Sequence, residues 1–182
     1  MTGTAPTGFV CTTCGAFHDE MPLTLVVAAP AAWEAIPERE RVRRALLTAD
    51  QCVIDDAYFF LLGRLELPVL EGGPPFTWMT WVSVSEADFL RASALWQTQG
   101  REAEPPCFAW VQSSLPYPAA TLDMKADLVT QPMGERPKVV LQAADHPLYR
   151  EQKFGIGKQR VQQIVEAILH PVAPAGQGQG KA

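Results

Sequence analysis

Residues Cys52–Ser85 read CVIDDAYFFLLGRLELPVLEGGPPFTWMTWVSVS and form the longest apolar, β-rich stretch of the chain. Two runs within it, Tyr58–Val69 and Phe76–Val84, are rich in the β-branched and aromatic residues that are typical of strands. The segment Glu71–Pro75 between them contains two glycines and two prolines, which is a turn signal. The stretch therefore predicts two strands joined by a turn at the centre of the fold.

Large apolar side chains alternate along the second of these strands so that both of its faces are apolar. One face carries Phe76, Trp78, Val82 and Val84, and the other carries Met79 and Trp81. A strand with two apolar faces is typical of the centre of a sheet that is covered on both sides. We interpret the tryptophans as core residues rather than as the lining of a ligand groove.

The rest of the chain supplies further strands and several helices. The additional strands are expected at Val53–Ile54, Leu23–Ala28, Cys107–Val111, Thr121–Thr130 and Lys138–Gln142. Helices are expected at Glu38–Leu47, at Glu86–Gln97, from Pro147 onwards and at Lys158–His170. Together these elements predict an α+β fold, with a mainly antiparallel sheet of five to seven strands, packed helices and an N-terminal CxxC knuckle.

The length of 182 residues suits a single domain. We expect residues 1–8 to be a disordered N-terminus and residues 9–170 to form one α+β domain that includes the knuckle at 11–18. The segment 171–182 is rich in glycine and glutamine, which predicts a disordered tail.

Composition and charge narrow the classes of protein to which the chain can belong. Twenty acidic against fifteen basic residues give a net charge of −5, which argues against a nucleic-acid-binding protein. The sequence contains neither a signal-peptide pattern nor an apolar run long enough to span a bilayer, so we expect a cytoplasmic protein without membrane contact. In that compartment, four cysteines indicate metal ligands or buried thiols rather than disulfides.

The motif Cys11-Thr12-Thr13-Cys14-Gly15 is the strongest chemical signal in the chain. Two intervening residues let both thiolates reach one metal ion, and the glycine allows the turn to close. A tetrahedral zinc site needs further ligands, for which the candidates are His18, Cys52, His146 and His170; His18 is closest in sequence, and Cys52 opens the first core strand. We therefore predict zinc as the cofactor, with Cys11, Cys14, Cys52 and His18 as the preferred ligands. An empty, reduced knuckle is the alternative.

A second group of residues has the chemistry of general acid–base catalysis. His146 and Glu151 are the candidate catalytic residues, together with nearby acidic side chains. Asp145 or His146 is, however, well explained as the N-cap of a helix that starts at Pro147, and Asp55-Asp56 fits a turn between strands. The sequence Gly155-Ile156-Gly157-Lys158 is not a phosphate-binding loop, because Gln159 stands where Ser or Thr is required.

The order and spacing of several motifs resemble a known family. They are CTTCGAFHDEMP (11–22), DQCVIDDAYFF (50–60), GRLELPV (63–69), FTWMTWVSVSEADF (76–89), LPYPAATLDMK (115–125), GERPKVVLQ (134–142) and DHPLYREQKFGI (145–156). On these motifs the chain resembles the bacterial uncharacterised-protein family called domain of unknown function 2199, over most of residues 9–170. The resemblance implies that the knuckle, Cys52 and the His146-Pro147-Leu148 start belong to the family pattern, and it implies no activity.

Three hypotheses about function follow. The leading one is a small binding or interaction protein, with a protein as its partner and a structural zinc knuckle. The second is a metal-assisted hydrolase with an open zinc position, which requires His146 or Glu151 close to the cysteines. The third is a metal-free regulatory or immunity-type protein that binds its partner through its acidic surface.

Overall fold

The computed structural model describes residues 8–170, and the terminal segments predicted to be disordered lie outside this range apart from Gly8. In chain order the described elements are β1 (Phe9–Val10), β2 (Phe17–His18), β3 (Thr24–Val26), α1 (Ala31–Glu34), α2 (Glu38–Arg44), β4 (Ala45–Leu47), β5 (Gln51–Ile54), β6 (Tyr58–Leu67), β7 (Phe76–Val84), α3 (Glu86–Ala94), a short 3-10 turn (Arg101–Ala103), β8 (Cys107–Val111), β9 (Lys125–Val129), β10 (Lys138–Leu141), α4 (Pro147–Phe154) and α5 (Lys158–Leu169).

Strands β6 and β7 form the central hairpin of the fold. They pair antiparallel along their whole length, from Phe59 opposite Val84 to Leu67 opposite Phe76. Gly72 and Gly73 in the connecting loop both have positive φ, the conformation that glycine adopts without a steric penalty. The two strands and the turn expected from the sequence are thus present at the centre of the sheet.

The pairings of these strands close into a ring. Strands β7, β8, β9 and β10 are neighbours in antiparallel order, and β10 returns to pair in parallel with β6. Strand β3 adds to β7 in parallel, while β5 and β4 extend the sheet from β6. The expected α+β fold with a mainly antiparallel sheet is confirmed. In the described residues the main sheet has eight strands, one more than the upper limit of seven that the sequence predicts, because Ala45–Leu47 forms the strand β4.

The core consists of two apolar clusters, one on each face of β7. Phe76, Trp78 and Val82 belong to the larger cluster inside the ring, whereas Met79 and Trp81 belong to a smaller cluster on the other face. Trp78 and Trp81 are 2% and 1% exposed. The alternation read from the sequence therefore assigns each side chain to its observed face, and the tryptophans are core residues.

Helix α5 and the first β-hairpin pack against the same core. Val161, Ile164 and Val165 of α5 are buried in the cluster inside the ring. Phe9, the first residue of β1, and Cys11, which follows β1, are buried in that cluster as well. The packing brings the beginning of the described chain next to its end. This contact places the residues that follow β1 beside the end of α5.

One helix is shorter than the sequence predicts. The helix expected over Glu38–Leu47 ends at Arg44, and Ala45–Leu47 forms β4. Ala45 pairs with Ile54 and Leu47 with Cys52, so ladder hydrogen bonds to β5 replace the last helical turn. The prediction was wrong there because tertiary strand pairing overrides the weak helix propensity of a short segment.

None of the described helices combines the length and the apolar character that crossing a membrane requires.

Candidate metal centre

The CxxC motif forms a tight knuckle between β1 and β2. The Cys11 N–H donates to the Ala16 carbonyl and the Gly15 N–H to the Cys11 carbonyl, each at 2.9 Å. Gly15 has a φ of 72°, in the left-handed region that favours glycine. The Cys14 amide nitrogen lies 3.5 Å from the Cys11 sulfur, so the backbone folds around one thiol and holds the second beside it.

Two histidine rings complete the group around the knuckle. The Cys14 Sγ lies 3.6 Å from the His18 Nε2. The His18 ring stacks on Phe9 at a centroid distance of 5.1 Å, and the His170 ring meets it edge-on at 6.1 Å. One donor atom from each of Cys11, Cys14, His18 and His170 lies within 4.8 Å of the other three. This Cys-Cys-His-His group can hold a metal ion.

Two of the four candidate ligands place a donor group away from solvent. Cys11 is 1% exposed. The His170 Nε2 is buried and has no hydrogen-bond partner among the described residues. A buried polar atom without a partner is costly, and a metal ion bound to that nitrogen would remove the cost.

Helix α5 places His170 beside the knuckle, and the side of the helix that meets the knuckle carries residues four positions apart. Gln162, Glu166 and His170 follow one another at this spacing, so they lie on one side of the helix and its C-terminal end. The Gln162 side-chain amide donates both to the Val10 carbonyl at 2.9 Å and to the Glu166 carboxylate at 2.8 Å. These bonds hold α5 against the β1–β2 hairpin without the help of a metal ion.

Glu166 is the centre of this docking contact. Its carboxylate accepts hydrogen bonds from the backbone N–H of Thr12 at 2.7 Å and from the Thr12 hydroxyl. Hydrogen bonds from Gln162 and Thr12 to the charged form lower the pKa of Glu166 to about 2. The side chain is therefore an anion at neutral pH. Because it binds Thr12, the residue next to Cys11, it fixes the knuckle relative to α5.

Cys52, a preferred ligand in the sequence prediction, lies elsewhere. It is fully buried in β5, in the smaller apolar cluster with Ile54, Phe60 and Trp81. Burial raises the pKa of its thiol to about 11, as expected for a sulfur surrounded by apolar groups. The structure thus brings Cys11, Cys14 and His18 together with His170, and it does not bring Cys52 to them.

His146 acts as a helix cap. Its Nδ1 accepts the backbone N–H of Leu148 at 3.0 Å, which leaves the ring proton on Nε2, 3.2 Å from the Ala119 carbonyl. Both ring nitrogens are engaged, and the residue is 6% exposed. The N-cap assignment made from the sequence agrees with this geometry.

Glu151, the other candidate catalytic residue, is bound in a separate network. Its carboxylate accepts from the Tyr117 hydroxyl at 2.5 Å and from the Arg160 Nε at 2.7 Å. Burial and the Glu151 charge raise the pKa of Tyr117 above its usual value. Neither Glu151 nor His146 belongs to the Cys-Cys-His-His group.

The acidic pair Asp55-Asp56 also has a structural role. Both residues have positive φ in the turn that joins β5 to β6. The Asp55 carboxylate receives two hydrogen bonds from Arg44, at 2.9 and 2.6 Å, and the pKa of Asp55 is lowered mainly by them. This pair fits the turn expected from the sequence and takes no part in the candidate centre.

A comparison with known families assigns the chain to one of them. The model of the family described as "Uncharacterized protein conserved in bacteria (DUF2199)" matches residues 10–156. The chain belongs to this family. The matched DUF2199 residues include Cys11, Cys14 and His18, and they end before α5 and His170. No curated protein and no solved structure matches the chain.

Sequence reasoning did not single out Gln162 and Glu166. Their spacing of four before His170 is visible in the sequence, and it places the three residues on one side of an amphipathic helix. The spacing alone, however, does not show which element that side meets. Only the docking of α5 on the hairpin shows that this polar side faces the knuckle.

Proposed function

We propose that this DUF2199 protein is a small binding protein in which a structural zinc ion at Cys11, Cys14, His18 and His170 joins the N-terminal knuckle to the end of α5. The observation that carries the proposal is that four donor atoms from both ends of the described chain lie within 4.8 Å of one another. Two thiolates and two imidazoles are a ligand set that suits zinc.

The observed spacing is consistent with one tetrahedral ion. Zinc–sulfur and zinc–nitrogen bonds of about 2.3 and 2.0–2.1 Å place a sulfur and a nitrogen about 3.5 Å apart at the tetrahedral angle. The separation of the Cys14 Sγ and the His18 Nε2 is 3.6 Å. The remaining donor atoms need to close in by no more than about 1.5 Å to reach the spacing of a tetrahedral site.

A structural role is favoured over the hydrolase hypothesis. A catalytic zinc ion keeps an open coordination position, whereas four protein ligands close the site. The group already provides two sulfurs and two ring nitrogens. His146 and Glu151, the candidate catalytic residues, lie outside the group and have their polar atoms engaged in other contacts, so neither is placed as a general base for a water bound to the metal.

Metal content measured on untagged protein tests the proposal. We expect one zinc ion per chain in the wild type, and its loss in a Cys11→Ser, Cys14→Ser double variant and in His170→Ala. Cys52→Ser is the matched control, because it removes a buried cysteine outside the group and should retain the zinc. Substitution by Co²⁺ should give the visible absorption of tetrahedral thiolate coordination.

Chelation supplies a test that needs no substitution. Structural zinc in zinc-finger peptides contributes about 10–16 kcal/mol of binding energy, so its removal should lower the melting temperature of the wild type. A folded wild-type protein that takes up no zinc or cobalt would overturn the proposal. So would zinc binding that survives in both the double variant and His170→Ala.

A further inference from the structure

A cavity of about 370 Å³ opens beside α3, in a part of the structure that does not include the metal ligands. Its apolar walls come from α3, from the segment after it and from the interior of the strand ring. They include Leu61, Ala92, Leu95, Pro105, Phe108 and Leu128. This volume lies in the range of small-molecule binding sites, and the end of a ring of strands is a common place for one.

One wall of the cavity is held rigidly by Arg101. The residue is 5% exposed, and its guanidinium donates to the backbone carbonyls of Trp96, Gln131, Pro132 and Glu135. The guanidinium also lies 5.0 Å from the centre of the Trp96 ring. These contacts fix the shape of the cavity, so a ligand would meet a site that is already formed.

The charged groups of the lining leave one carboxylate without a cationic partner. Glu104 is paired with Arg91 through two hydrogen bonds, at 2.9 and 2.7 Å, and Arg101 is committed to carbonyl oxygens. Asp88 accepts a hydrogen bond from the Ser85 hydroxyl at 2.6 Å and forms no ion pair within residues 8–170. Its carboxylate is thus the free charge of the cavity.

The thiol of Cys107, also in the lining, lies within range of the Asp88 charge. Burial raises the pKa of this thiol to about 11, and the negative charge of Asp88 adds to the effect. The cavity therefore combines an apolar interior with one carboxylate that no cation within residues 8–170 pairs with.

We infer that this cavity binds a small molecule with an apolar body and a protonated amine, the amine pairing with Asp88 and the body lying against Leu61, Leu95 and Leu128. The inference deepens the binding role proposed above and gives that role a ligand class. It does not depend on the zinc ion, because no metal ligand lines the cavity.

Three probes with the same apolar body and different end groups test this inference: phenethylamine, 2-phenylethanol and phenylacetate. Binding to the folded protein, as purified, is followed by amide chemical shifts in nuclear magnetic resonance spectra. A hydrogen bond to a charged group should make the amine bind roughly tenfold to a hundredfold more tightly than the alcohol. Phenylacetate should bind most weakly, and the shifts should cluster in residues 88–96 and 104–108.

Two variants assign the preference to one side chain. Asp88→Asn keeps the shape and the hydrogen bond from Ser85, so it should lose the preference for the amine and retain weak binding of the alcohol. Glu86→Gln removes a carboxylate from the first turn of the same helix, outside the cavity, and should leave the preference unchanged.

The outcomes separate this inference from the zinc proposal. Equal binding of the three probes, an amine preference that survives in Asp88→Asn, or no binding to the folded protein, with or without zinc, would overturn the cavity assignment alone. Loss of zinc binding is measured separately and bears only on the metal centre.

Discussion

Gly63 is a single residue on which the closure of the strand ring depends. It lies in β6 opposite Thr80, in a pairing that continues without a bulge. A glycine inside a strand marks either a bulge or a close approach of another backbone, and here it marks the close approach. A β-carbon at this position would lie 2.6 Å from the Val139 Cγ2 and 3.1 Å from the Pro137 carbonyl oxygen. The absence of a side chain allows β10 to approach β6.

Gly63→Ala should therefore destabilise the protein by about 1–3 kcal/mol, the usual cost of overpacking a core. For a chain of this size that cost corresponds to a fall in melting temperature of about 2–4 °C per kcal/mol, measurable by thermal unfolding. A Gly63→Ala, Val139→Ala double variant is the control, because removing the valine methyl groups makes room for the new one. An unchanged melting temperature in Gly63→Ala, or a double variant that costs the full sum of both changes, would contradict the explanation.

At the scale of elements, α5 begins at a site capped by a distant side chain. Gly157 is the N-cap residue and has no side chain to offer, and both oxygens of Glu71 lie 3.1 Å from the Lys158 amide nitrogen. The glycine-rich sequence before α5 suggested an anion-binding loop that its residues do not complete. In the structure a carboxylate of the same chain occupies this helix end, where the N-terminal dipole favours negative charge.

Glu71→Ala should lower the free energy of unfolding by about 1 kcal/mol, since it removes the cap and the favourable charge together. Glu71→Gln keeps an oxygen acceptor and loses only the charge, so its cost should be smaller and should vanish at high salt. Chemical denaturation at low and high ionic strength measures both terms. Equal stability of the wild type and Glu71→Ala would show that the contact does not support the helix.

The elements also show where local sequence signals fail. Helix α3 starts at Glu86, as the sequence predicts, and Ser85 before it caps the helix by accepting the Asp88 N–H at 3.1 Å. In contrast, Ala45–Leu47 continues a helical pattern and yet forms a strand, because its partner β5 is supplied by a later part of the chain. Caps and turns depend on neighbouring residues and can be read locally, whereas a short edge strand depends on a partner that propensity does not contain.

At the scale of the molecule, the same distinction separates the predicted and unpredicted parts of the metal centre. Cys11, Cys14 and His18 lie within eight residues, so the sequence alone brings them close. The sequence prediction preferred Cys52 as the remaining ligand, whereas the structure brings His170, named there only as a further candidate, to the group. The choice depends on the docking of α5 against the hairpin through Gln162 and Glu166, which is a property of the assembled fold.

Because the candidate ligands come from the two ends of the described chain and from no strand of the ring, removal of a bound metal ion should loosen those ends first. We expect hydrogen exchange of zinc-loaded and chelated protein to differ in residues 9–18 and in the last turns of α5, while β6 and β7 keep their protection. The hydrogen bonds from Thr12 and Gln162 to Glu166 do not require the metal, so the ends should become more mobile without separating fully from the core. Cys52→Ser with zinc bound should match the wild type at the ends. Equal acceleration across β6 and β7 would instead mean that the ion supports the whole fold, and no change at the ends would mean that it supports neither.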